Sequence, residues 1–265
     1  VKLFWAFARQ AFHSTAIYRL EFWLRVVSNF VYMFSAYCLW RVLYTQKAGA
    51  FNISLEQMVT YASLSGVLTI ILRPGGRVMY QIAEKVKSGE IVMDMLKPLD
   101  FHMHTLARNI GELLFFGFTL GLPSYLVAHF LLGMRLPLSL PAGLLFALSL
   151  AMGYGIYFSL NYLLGMLSVF TIDIRNISWA YNAVVRFFSG SEVPLWLFPL
   201  FLTQIANVLP FKCVFAVPLS IYIGKFSPGE TTRAIELQVF WLASLVLLGR
   251  LTWLKAHKHL TVQGG

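Results

Sequence analysis

Residues 136–172, LPLSLPAGLLFALSLAMGYGIYFSLNYLLGMLSVFTI, run for 37 positions without a charged side chain. A bilayer core about 30 Å thick is crossed by roughly 20 helical residues at about 1.5 Å each. The stretch is therefore long enough to span a membrane and too long to span it once. Pro137 and Pro141 put its first residues in a connecting loop, and the spacing predicts a helix over 144–169.

The same reading extends in both directions. Spans are expected at 22–44, 57–72, 110–134, 144–169, 176–190 and 237–254, six crossings in one all-α, polytopic domain that takes in residues 1–265. The composition agrees: 58% hydrophobic residues exceed the roughly 45–50% that a soluble domain carries, and only 12% are charged. A net charge of +10 would suit nucleic acid on a polar surface. Here the basic residues stand between long uncharged runs and read as topology signals. With the N-terminus inside, fourteen of the 21 Lys and Arg fall on the inner side and six on the outer, with Arg186 inside the fifth span. Both termini are then cytoplasmic.

Three segments do not read as simple spans. Residues 1–20 mix Leu3, Phe4, Phe7, Ala11 and Phe12 on one helical face with Arg9, His13 and Arg19, without the small-residue cleavage site of a secretory signal. This suits an amphipathic helix in the inner interface, or equally a frayed start to the first span. Residues 191–227 carry Pro194, Pro199, Pro210 and Pro218 in apolar surroundings. Irregular backbone at membrane depth survives only against protein or a watery cavity, so this is expected to be a re-entrant helical hairpin on the outer side or a loop packed on the bundle. Residues 78–105 are polar and cytoplasmic. Val78, Ile82 and Val86 recur every four residues up to Gly89, and a second short helix is expected from Ile91 to Leu96, stopped by Pro98. Glu84, Lys85, Lys87, Glu90, Asp94, Lys97 and Asp100 mix both signs, which suits either a solvated loop or the docking of a protein partner.

Chemistry-bearing motifs are otherwise missing. There is no Gly-x-x-x-x-Gly-Lys-Ser/Thr run, hence no P-loop ATPase in this sequence. Cys38 and Cys213 stand apart in apolar runs, and the pairs His102/His104 and His257/His259 are spaced by two, which turns the rings to different helix faces. No metal site is expected, and the histidines read as interfacial polar residues. Glu112 lies four residues after Arg108, an ordinary helical ion pair. Ser178, Asn182, Arg186, Asn161 and Tyr162 are polar positions within spans that could line a path or bond to neighbouring helices. Gly117 and Gly121 allow a close helix contact.

Two short patterns resemble a known family. Lys87-Ser88-Gly89-Glu90-Ile91 with Leu96-Lys97-Pro98-Leu99, between the second and third spans, looks like the cytoplasmic loop of type-2 ABC exporter permeases. Phe188-Ser189-Gly190, Val193-Pro194-Leu195, Phe198-Pro199 and Leu209-Pro210-Phe211 resemble the outer-side segment of the same family. The similarity is closest to the group in which two related permeases pair with ATPases of the drug-resistance kind. It implies a bacterial plasma-membrane exporter subunit with an interfacial N-terminal helix, six spans and re-entrant outer helices. The implied partners are two ATPase chains, which hold ATP and Mg, and a second permease, a related chain or a second copy. Glu84, Lys87, Ser88, Gly89, Glu90, Asp94, Leu96, Lys97, Pro98 and Leu99 would couple to the ATPase, and Gly190, Pro194, Pro199 and Pro210 would shape the outer segment. The cargo is not implied. An importer permease would carry a longer coupling loop with a Glu-Ala-Ala start, and a channel or secondary carrier would show broken helices in both halves. Neither pattern is present.

Overall fold

Serine and proline at helix starts and glycine at helix ends set most of the boundaries. The computed structural model describes residues 2–15, 19–46, 53–95, 100–171 and 174–263, and no strand occurs among them. Helix α1 (Lys2–Thr15) packs on α6 (Phe101–Phe116), where Gly111 brings the two backbones together: a Cβ there would stand 2.0 Å from the Ala8 carbonyl oxygen. Helix α2 (Arg19–Gln46) lies against α3 (Leu55–Ile71). Ser54 caps α3 reciprocally with Gln57. The Gln57 amide also donates to the Ile223 carbonyl at 3.0 Å, tying the start of α3 to the segment before the last helix.

Helix α4 (Arg73–Ser88) follows α3 after Leu72 alone. Pro74 sits in its first turn, where a missing N–H costs nothing. Together α3 and α4 form a rod of 34 residues, Leu55–Ser88, about 51 Å long. The short amphipathic helix expected from Val78 to Gly89 is thus the end of a longer one that begins at Arg73, and its apolar ridge has a helix to pack on. Pro74 O accepts from Asn109 Nδ2 at 3.0 Å, and Asn109 in turn holds the Tyr154 hydroxyl, so three helices meet where α3 passes into α4. Glu112 on α6 is buried and accepts from Gln81 at 3.3 Å, rather than pairing with Arg108 as its spacing suggests.

The third crossing begins at Phe101, earlier than expected, since the Asp100 carboxylate caps the His102 and Met103 amides. It continues through a π turn, Gly117–Gly121, into α7 (Leu122–Leu132). Pro123 has no N–H for the Thr119 carbonyl, which the wider turn accommodates. Of the glycine pair, Gly121 meets Ile71 closely, whereas Gly117 has no neighbour within 4 Å. Helix α8 (Leu140–Leu167) starts at Ser139, whose hydroxyl accepts from Ala142 N, with Pro141 in its first turn rather than in the loop. α8 is the central helix. Gly153, Gly155 and Gly165 admit Cys213 and Val214, Leu242, and Met79 with Ile82, on different faces.

Helix α9 (Arg175–Phe188), where the fifth span is expected, has 14 residues and reaches only about 21 Å. Helix α10 (Leu200–Val208), a short turn at Pro210–Cys213 and α11 (Ala216–Tyr222) follow, with a bend of 76° between α10 and the Pro210–Tyr222 unit. Helix α12 (Pro228–Gln263) runs 36 residues from a Ser227–Glu230 capping box. Among the described residues five helices are long and apolar enough to cross a membrane, or six if the bent pair is one crossing. Many lipid-sized side chains face outward, including Phe118, Phe130, Leu144 and Phe240, as they must in a bundle whose solvent is hydrocarbon.

Candidate functional site

Two ends of the bundle can be told apart by their contacts. One gathers Gln57 and Thr60, Arg135, and Tyr222 with Ile223. The other gathers Val78, Ile82, Ile91, Phe101, Met166 and Trp253 in one apolar cluster. Arg77, Lys87, Arg108, Arg250 and Lys255 are exposed in the helices that lead to this second end.

The tip of the long rod projects at that basic end. Val78, Met79 and Ile82 are buried on the side of α4 that meets Gly165 of α8, where an added Cβ would lie 2.9 Å from Ile82 and 3.0 Å from Met79. Side-chain spacing of three and four makes that contact continuous. Gly89 then ends α4 at φ +77°, and its N–H donates to the Val86 carbonyl at 3.3 Å. The left-handed turn sends the chain into α5 (Ile91–Met95), whose Ile91 is buried. Asp94, also buried, forms an ion pair with Lys85, clasping α5 to α4 across the turn. Glu84, Lys87, Ser88, Gly89 and Glu90 remain exposed, and so do the apolar Val92 and Met93, at 47% and 64%. Leu96, Lys97, Pro98 and Leu99 lie outside the described residues. The sequence reading put Lys85 on the mixed-charge surface without pairing it to Asp94, and it singled out neither Val92 nor Met93. A basic residue nine positions before an acid, with Gly between, was the available signal.

A second group lies along α9. Asn161 Nδ2 donates to the Tyr181 hydroxyl at 3.2 Å, and Asn182 Nδ2 to the Tyr80 hydroxyl at 3.0 Å, linking α8, α9 and α4. Ser178 on the same helix is buried. Arg186 stands 3.9 Å from Glu192, and the side chains of both are largely exposed. Tyr32 of α2 and Tyr157 of α8 lie near enough to the Arg186 guanidinium to feel its charge. Tyr162 is not part of this group. One residue after Asn161 turns a helix by about 100°, and Tyr162 faces Phe101, His102 and Phe158 instead, its hydroxyl buried without a hydrogen-bond partner. His102 and His104 are likewise core residues rather than interfacial ones: His102 lies edge-on to Tyr162 at 4.8 Å, and His104 edge-on to Phe7 of α1 at 4.7 Å. The side chains of His257 and His259 are outside the described residues.

The third group holds the proline-rich segment. Gly190 takes φ +79° where a side chain would strike Ala216 and the Tyr61 hydroxyl, and its carbonyl accepts from that hydroxyl at 2.7 Å. Ser65 donates to the Ser191 carbonyl. Gln238 of α12 donates to the carbonyls of Cys213 (2.8 Å) and Ser149 (2.9 Å) and accepts from the Ser149 hydroxyl (2.9 Å). Tyr222 donates to the Arg135 carbonyl at 3.1 Å and meets Tyr125 at 2.6 Å. Pro194 and Pro210 are buried, whereas Pro199 is exposed at the start of α10. Backbone groups freed by the breaks are thus met by side chains from α3 and α12, as membrane depth demands.

These three groups offer a protruding tip, a polar stripe on a short helix and a pinned, broken segment, with no nucleophile and base brought together among them. No curated protein matches the chain. A family model described as ABC-2 family transporter protein matches residues 30–264. Since that match runs from within α2 to the far end of α12, the chain belongs to the ABC-2 transporter family, whose membrane-embedded permeases work with an ABC ATPase.

Proposed function

We propose that the chain is the permease subunit of an ATP-driven exporter, in which residues 84–99 seat in a cleft of a separate ATPase chain. The observation that carries this reading is the tip of the α3–α4 rod: Val92 and Met93 stand exposed on a turn that the Lys85–Asp94 pair and Gly89 hold in one shape. An apolar pair on a tip that also exposes Glu84, Lys87 and Glu90 suits a protein cleft better than water. Closure of two ATPases on ATP and Mg would then bias the spans between two arrangements, because a firm tip transmits a displacement along a rod about 51 Å long. The excess of Lys and Arg at this end supports a cytoplasmic placement of the tip and of both termini, and the membrane would be that of a bacterial cell. Helix α1, with Trp5 exposed and Ala8 and Ala11 against α6, would lie in the inner interface, and 191–227 would dip from the outer face. Exposed charge on α9 supports a second permease across the path, a related chain of the drug-resistance group or a second copy.

Tagging the protein in its host, extracting it in mild detergent and identifying what co-purifies tests this directly. An ATPase chain in comparable amount is expected, and Met93→Asp should reduce its recovery or uncouple ATP hydrolysis from transport. Recovery of an intact, active complex without an ATPase would overturn the proposal.

A further inference from the structure

The Arg186–Glu192 pair lies at a depth where charge is costly. Ser65, which holds the Ser191 carbonyl, is ten residues into α3, about 15 Å from its end and so roughly halfway through a 30 Å core. Glu192 is the next residue. A charge turned to lipid at such a depth is costly, yet the Arg186 and Glu192 side chains are 74% and 56% exposed. This face therefore meets water, a ligand or the second permease across the path, and not hydrocarbon. At 3.9 Å the pair is beyond hydrogen-bond distance, so each charge keeps capacity for another partner. Tyr32 is close enough to feel both charges, Tyr80 meets Asn182 one turn before Arg186, and the exposed Trp179 falls on the same α9 stripe as Asn182 and Arg186. Seven residues separate Trp179 from Arg186, about 10 Å along the helix.

From this geometry we infer that the α9 face binds a zwitterionic amphiphile, its anionic group on Arg186, its cationic group on Glu192 and its apolar chain along Trp179. The inference rests on the reading of α9 as part of the export path. A ligand with one charge would pair with one residue and leave the other stranded; a zwitterion satisfies both, and the exposed tyrosine rings add cation–π attraction for its positive group. The site is net neutral, so its selectivity follows from two opposing charges that can be removed one at a time.

The test uses the permease with whatever ATPase co-purifies, in nanodiscs of neutral lipid, and four brominated-chain probes of equal length below their micellar concentrations. These are an alkylphosphocholine, an alkyl phosphate, an alkyltrimethylammonium and an alkyl maltoside. Binding is read as quenching of Trp179, taken as the difference from a Trp179→Phe protein. The phosphocholine should bind about tenfold or more tighter than either singly charged probe, a difference of about 1.4 kcal/mol. Glu192→Gln should make the phosphate the best ligand, Arg186→Gln the trimethylammonium, and the exchange Arg186→Glu with Glu192→Arg should restore the phosphocholine. Parallel changes for all four probes, an unchanged order in the single variants, or loss of assembly without a change in order would overturn the inference. Quenching in the expected order from a complex without ATPase would sink the transporter reading and leave this one standing. A coupled ATPase without that order would do the reverse.

Discussion

The chain interrupts its helices once at the basic end of the bundle and once within it, and it secures the two interruptions by different means. At 89–95 the tip is held by an apolar ridge on α4, one buried Ile91 and one ion pair, and its remaining polar groups face outward. At 189–223 the irregular backbone is buried, and side chains from other helices reach in to its carbonyls: Tyr61 to Gly190, Ser65 to Ser191, Gln57 to Ile223 and Gln238 to Cys213. Water explains the contrast. A turn that reaches solvent has a partner for every free carbonyl, whereas one inside the bundle has only what the protein supplies. The first kind can be altered locally; the second ties distant parts of the chain together.

Substitutions should separate the two kinds. The largest effect is expected from Gln238→Leu, which strands the Cys213 carbonyl and the Ser149 hydroxyl at about 1–3 kcal/mol for each buried group. Thermal unfolding in detergent should shift for the whole protein, and a change confined to 210–222 would break the contrast. Lys85→Met should cost about 3 kcal/mol by removing the ammonium partner of the buried Asp94 carboxylate. Hydrogen exchange is expected to rise in 89–95 with little change elsewhere, and adding Asp94→Asn should recover most of the loss. Gly89→Ala meets no neighbour within 4 Å, so its cost is backbone strain alone, about 1 kcal/mol, read in the same exchange experiment. Tyr162→Phe is the smallest: its hydroxyl is buried without a partner, and its removal should leave the unfolding temperature unchanged or slightly raised. A clear fall would mean that this hydroxyl is bonded in the membrane.

How much could be read from residues follows the same division. Local signals were legible: uncharged runs marked the crossings, the four-residue repeat Val78, Ile82, Val86 marked α4, and Gly89 marked its end. Lengths were less so, because hydropathy reports where a helix is apolar and not where it stops. Thus α12 extends to Pro228–Gln263 around an apolar stretch of 237–254, and α6 begins nine residues before 110. Residues 176–190 hold a helix of helical-span polarity and insufficient length. The long-range partners were not legible. Gln238 is a single polar residue in an apolar run, and nothing nearby points to Ser149, 89 residues away. Asn161 and Tyr162 were adjacent candidates for one path, yet a helix separates them onto different faces.

The Gln238 connection bears on how the protein is made. The Cys213 carbonyl needs a donor on α12, which leaves the ribosome after it, while the Gly190 and Ser191 carbonyls need Tyr61 and Ser65 from a helix already synthesised. The proline-rich segment therefore cannot complete its bonding during its own emergence. It has to be held in the insertion machinery or at the water-facing surface until α12 arrives, so a chain ending just beyond residue 227 and released from the ribosome should leave residues 210–224 open to proteases that the finished protein resists.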